Sequence, residues 1–208
     1  MTKGSAMGFS PRLLDRSEQA AALIFYAFLV QRVWPDALSL SNLAPALVLI
    51  SEGVIVLFLL IRRPTADISL RPQDWAAAIA GTVAPLLVVK NAEPSYLAVG
   101  VFLMLFGLIT QVFAKLSLRR SFGLVAANRG VITGGAYRYV RHPMYLGYMI
   151  SHVGFLIMSP SLWNFAVYAV GWTCLVLRVA FEEKVLSHDA AYQAFKERVR
   201  FRLIPGVY

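Results

Sequence analysis

Long apolar runs alternate along the chain with short polar connectors. The apolar stretches occupy about 19–34, 42–61, 75–89, 96–114, 144–158 and 161–181. Each is near the roughly 17–25 residues that a helix needs to cross a bilayer, the first, third and fifth being short. None alternates with period two, so a closed barrel is not predicted, and helices are the other structure that satisfies its backbone in hydrocarbon. The pattern predicts an all-α fold: a polytopic membrane bundle of about six transmembrane helices. Ser159-Pro160-Ser161 separates the last two runs and predicts a tight hairpin there.

The polar segments are unequal. The longest, 115–143, carries Gly123, Gly130, Gly134 and Gly135 together with Phe122, Val131, Ile132, Tyr137 and Tyr139. A loop of that length is ordinarily functional or disordered, and its apolar side chains predict packing. Beyond the last run, Tyr192, Phe195 and Val199 recur at helical spacing among Lys196, Glu197, Arg198 and Arg200. That pattern predicts an amphipathic helix at the membrane surface, placed to roof a site. The chain thus divides into residues 1–114, the first four helices, and residues 115–208, where the chemistry gathers.

Composition supports the membrane assignment. The 208 residues are 58% hydrophobic and 15% charged, against about 45–50% and about 25% in soluble domains. The net charge of +9 is explained by topology and not by nucleic acid. With six crossings, Arg32 and Lys90 alone among the Lys and Arg residues fall outside one common side. The positive-inside rule makes that side cytoplasmic, with both termini there, in a multi-pass protein of the bacterial inner-membrane type. No cleavable signal peptide is expected, so the first run is a retained helix. The single cysteine, Cys174, lies in the last run and supports neither a disulfide nor a metal site. Glu52, within the second run, is costly in lipid; a functional role and an interhelical hydrogen bond both remain open.

The stretch Arg141-His142-Pro143-Met144-Tyr145-Leu146-Gly147 joins the long loop to the fifth run. Pro143 suits the first turn of a helix, whose free N–H groups and partial positive charge attract an anion, and Arg141 stands beside it. His142, Tyr145, Met149 and His152 share one helical face. Gly147 leaves a gap for a flat group or for another backbone. At the other end of the hairpin, Glu182 and Glu183 stand at a helix C-terminus, where the macrodipole favours cations. Something positive must compensate them: Arg178, Lys184 or a cationic ligand. For Arg141, Tyr145 and His152, structural roles as a topology-setting charge, an interfacial ring and a helix–helix hydrogen bond remain open. No phosphate-cradling glycine motif occurs.

Together with Arg119-Arg120-Ser121-Phe122-Gly123, Tyr137, Tyr192 and Ile204-Pro205, these motifs resemble the isoprenylcysteine carboxyl methyltransferase family, which groups with the phospholipid N-methyltransferases. The likeness covers about 111–208. Gly135-Ala136-Tyr137 departs from the family's Gly-Pro-Tyr, and Phe195 from a usual tyrosine, which weakens assignment to the prenyl-protein subgroup. The resemblance implies S-adenosylmethionine as methyl donor and a lipophilic or prenylated acceptor, with no metal and no nucleic acid. The donor's carboxylate, sulfonium and adenine suit Tyr137, Arg141, His142, Pro143, Tyr145, Gly147 and Glu183, leaving Arg178 and Glu182 at the transfer itself. Phospholipid or other small-lipid methylation, a nicotinamide-dependent membrane reductase and a non-enzymatic membrane protein are the alternatives.

Overall fold

The computed structural model describes residues 10–33, 53–90, 93 and 95–208; Glu52 lies outside them. Seven helices follow in order: α1 (Pro11–Val33), α2 (residues 53–61), α3 (Pro72–Val83), α4 (Leu97–Leu118), α5 (Pro143–Met158), α6 (Leu162–Leu186) and α7 (Ala190–Arg198). Among the described residues there is no strand, only an isolated bridge between Ile68 and Ala127. The all-α expectation holds. With its following turn, α4 (Leu97–Ser121) has a mean hydropathy of 2.3, and α6 has 1.5; both are long and apolar enough to cross a membrane. α5 is apolar but has 16 residues.

Helix ends follow local chemistry. α1 begins well ahead of its apolar run, because Pro11 suits a first turn and the Ser10 hydroxyl accepts from Leu13 N–H at 3.2 Å. Pro85 cannot donate to a helix ladder, so α3 gives way to a 3-10 turn over Ala84–Leu87. The expected hairpin between α5 and α6 is present. Its Ser161 hydroxyl accepts from Asn164 N–H at 3.0 Å, while the Asn164 amide donates to Ser159 O and Val89 O, each at 2.8 Å.

α4 and α5 run antiparallel along a glycine seam. A Cβ built on Gly147 would lie 2.8 Å from Gly107 O, and one on Gly154 would lie 2.7 Å from Gly100 O. Lipid supplies no hydrophobic force between helices, so such close backbone packing, reinforced by Gln111 Nε2 donating to Ser151 Oγ at 3.0 Å, holds the pair. α3 packs on α6, where Gly81 meets Cys174 and Arg178. α1 and α2 contribute Tyr26, Ile55, Phe58 and Leu59 to one apolar cluster with Tyr145, Leu175 and Val179. α7 joins it: Tyr192 and Phe195 are each 2% exposed. The apolar face of α7 is therefore buried in protein.

Candidate active site

The long loop, the start of α5, the end of α6 and α7 enclose a cleft that is open at its mouth. Tyr137, Arg141, His142, Met144, Tyr145 and Glu182 line it, with Tyr192 and Phe195 of α7 and the loop from Ser121 to Ile132 completing the wall. The structure thus gathers Tyr137, Arg141, His142, Tyr145 and Glu182 as expected. Glu183, Pro143, Gly147 and Arg178 stand outside that wall. Gly147 turns to α4, so the gap it leaves is filled by another backbone. Pro143 opens α5 at its first position.

The two carboxylates of α6 do different things. The Glu183 side chain is 9% exposed and accepts from Arg141 Nε at 2.8 Å and Arg202 Nε at 2.9 Å. Arg141 also donates to the carbonyls of Val199 and Arg200 at 3.1 and 3.0 Å. Its guanidinium thus binds Glu183 and the C-terminal tail while the residue also lines the cleft. The tail is bound in return, since Arg141 and His142 N–H donate to Phe201 O and Arg202 O. Glu182, 23% exposed, faces the cleft and accepts from the Tyr145 hydroxyl.

His142 lies between the two acids, with Nε2 3.2 Å from Glu183 Oε1 and Nδ1 3.6 Å from Glu182 Oε2. Burial alone would lower its pKa; hydrogen bonds and charges of Glu182 and Glu183 outweigh burial and raise it. The cations in direct contact with the α6 acids are therefore His142, Arg141 and Arg202, while Arg178 acts on Glu182 from further off. Burial, with Glu182 nearby, pushes the Tyr137 phenol well up, so it stays neutral. Among the described residues, the N–H groups of Met144 and Tyr145 in the first turn of α5 have no hydrogen-bond partner. That leaves donors for an anion at the cleft wall.

Arg178 lies beneath, its guanidinium over the Tyr145 ring at 5.1 Å. Nη2 donates to Leu124 O at 2.9 Å, and Nε is buried with no partner. Glu182, its expected partner, is not in direct ion-pair contact with it but lies within its electrostatic reach. His152 takes its bland role: Nδ1 accepts from Trp172 Nε1 at 3.2 Å, and the ring stacks on Tyr168.

Sequence reasoning missed a second charged cluster. Asp15 and Glu18 of α1 pair with Arg62 and Arg129, all 1–2% exposed. The signal was present: two acids one turn apart, beside Arg12 and Arg16 ahead of the first apolar run. Arg202 was counted only as one of the cytoplasmic basic residues. Clusters of three or more His, Cys, Asp and Glu side chains able to hold a metal do not occur among the described residues.

The family model for phospholipid methyltransferases matches residues 95–192. Protein-S-isoprenylcysteine O-methyltransferase A of Arabidopsis thaliana is 32% identical over 94 residues, covering 42% of this chain and 48% of that protein. The chain spans about half the length of that curated relative.

Proposed function

We propose that the protein is an integral-membrane methyltransferase. Its donor is S-adenosylmethionine and its acceptor a lipophilic molecule, the carboxylate of an isoprenylcysteine-like compound. The reading rests on one observation above the rest: a carboxylate, Glu182, set in an aromatic cleft between Tyr145 and His142. An acid among ring faces suits a cation of modest hydration, as a sulfonium is. The unpartnered N–H groups at the start of α5 suit the donor's carboxylate, and Tyr137 and Tyr145 suit its adenine.

S-adenosylmethionine supplies an electrophilic methyl group, and the acceptor oxygen forms the new C–O bond as the C–S electron pair returns to sulfur. A carboxylate acceptor is already ionised, so no residue need remove a proton. The protein's work is to align the reacting atoms and keep water away. Tyr145 fixes the Glu182 carboxylate by hydrogen bonding, and His142 holds Glu182 and Glu183 in register. Arg178, with its orphaned Nε beside Tyr145, holds the acceptor's anionic end at the membrane side. Six crossings with cytoplasmic termini complete the proposal, the lipid entering sideways between helices.

Calorimetric titration of the purified protein with S-adenosylmethionine and with NADPH tests it. Saturable binding of the former alone is expected. Binding of NADPH alone would make the protein a reductase.

A further inference from the structure

In the cleft wall between Gly123 and Arg129, backbone hydrogen bonds to Ser69 and Asp67 fix Ala126 and Asn128, and a helix outside residues 95–192 reaches in to hold the stretch ahead of them. Glu18 Oε1 of α1 accepts from Leu124 N–H at 2.6 Å and from Val125 N–H at 3.3 Å. From the opposite side, Arg178 Nη2 of α6 donates to Leu124 O at 2.9 Å. One peptide unit is thus gripped at both polar ends by charged side chains from two helices. Its neighbours Gly123 and Val125, and Arg129 further on, line the cleft.

The grip is locked by the cluster beneath. Arg129 Nη2 reaches Asp15 Oδ1 at 2.6 Å and Glu18 Oε2 at 3.5 Å, and Arg62 bonds both acids. Two acids and two guanidinium groups balance, so the buried charges are mutually compensated. The wall also fits tightly on this cluster: a Cβ at Gly123 would lie 2.2 Å from Arg129 Nη1. Position Glu18 differently, and the backbone at 123–125 loses two charge-assisted hydrogen bonds at once.

We propose that Glu18, supported by Asp15, is a positioning residue for the donor cleft, so that α1 belongs functionally to the methyltransferase core. The proposal rests on the cleft being the S-adenosylmethionine site. A role limited to neutralising Arg62 and Arg129 would need only the charge of Glu18. A positioning role needs its reach as well, because a cleft wall displaced by an ångström no longer fits the ligand.

The variant Glu18→Asp separates the two. It keeps the charge in the cluster and withdraws the carboxylate by about 1.5 Å, one carbon–carbon bond. Glu18→Gln, which keeps reach and loses charge, is the companion variant. Full-length protein in detergent would be followed by amide hydrogen exchange without ligand and by titration with S-adenosylmethionine. The expected result is faster exchange confined to 123–129, unchanged exchange in α4 and α5, and an affinity for S-adenosylmethionine about tenfold weaker in both variants. Wild-type exchange at 124 and 125 and wild-type affinity in folded Glu18→Asp would overturn the proposal. So would acceleration spread evenly over the chain, which marks general structural support. If the wild-type protein binds no S-adenosylmethionine, the methyltransferase reading falls with the functional part of this proposal; the exchange data, which need no ligand, still tell whether the anchor exists.

Discussion

His142 Nε2 lies 3.2 Å from Glu183 Oε1 while its other ring nitrogen faces Glu182. Carboxylates only accept, so both ring nitrogens suit the acids they face only when the ring is an imidazolium, hydrogen-bonded to Glu183 and ion-paired with Glu182. The flanking groups are Tyr145 on α5, Glu182 and Glu183 on α6, and Arg141 and Arg202, which share Glu183. The acids prevail, and the His142 pKa is raised from its ordinary 6.5. Stability from a raised pKa is complete below the unfolded value and lost as pH rises through the folded one. The melting temperature in detergent is therefore expected to fall as pH climbs above 6.5. In His142→Asn that slope is expected to flatten. An identical slope in the variant would remove His142 from this role.

Arg178→Lys separates catalysis from donor capture. Lysine keeps the charge and can still reach the Leu124 carbonyl, but it lacks the planar fork that grips a carboxylate. The variant is expected to bind S-adenosylmethionine nearly as the wild type does and to transfer methyl groups at least about tenfold more slowly. Binding and single-turnover measurements on one preparation decide it. Near-normal turnover would show that another residue holds the acceptor.

Gly147 and Gly107 meet backbone to backbone, so a methyl group at 147 has to push the helices apart. Gly147→Ala is expected to cost about 1–3 kcal/mol, the usual range for overpacking. Gly154→Ala, on the same seam, is expected to behave alike. Thermal unfolding measures both. In the folded fraction the affinity for S-adenosylmethionine is expected to stay at the wild-type level; a selective loss of binding in Gly147→Ala would return Gly147 to the ligand site.

Much of this architecture was legible in the sequence, and what was missed has a physical cause. Hydrophobic periodicity placed α4, α5 and α6, because lipid-facing helices must be apolar throughout. The Arg-His-Pro-x-Tyr-x-Gly stretch and the Glu182–Glu183 pair marked the cleft, since charges at a membrane edge need compensation. Periodicity is silent on who compensates whom. Arg141 lay next to the site in sequence and was matched to a ligand, whereas it closes on Glu183 from 42 positions away. Glu18 binds a loop more than a hundred positions downstream. Such pairings depend on how helices pack, and α1 carries its acids in a polar stretch that resembles any cytoplasmic end.

Topology is open to a direct test. In a Cys174→Ala background, single cysteines at Gly130 and Gly206 are expected to label from the same side of the membrane, as the distribution of Arg and Lys requires. Labelling from opposite sides would break the six-crossing arrangement.

The central claim is that His142, Tyr145 and Glu182 form the donor site, with Glu183 holding His142 in place behind it. Titration of S-adenosylmethionine into the wild type, His142→Ala, Glu182→Gln and Glu183→Gln measures it most directly. Loss of a charge-assisted hydrogen bond costs about 1.5–3 kcal/mol. Each folded variant is therefore predicted to bind about ten- to a hundredfold more weakly than the wild type, and unchanged affinity in folded His142→Ala and Glu182→Gln would contradict the claim.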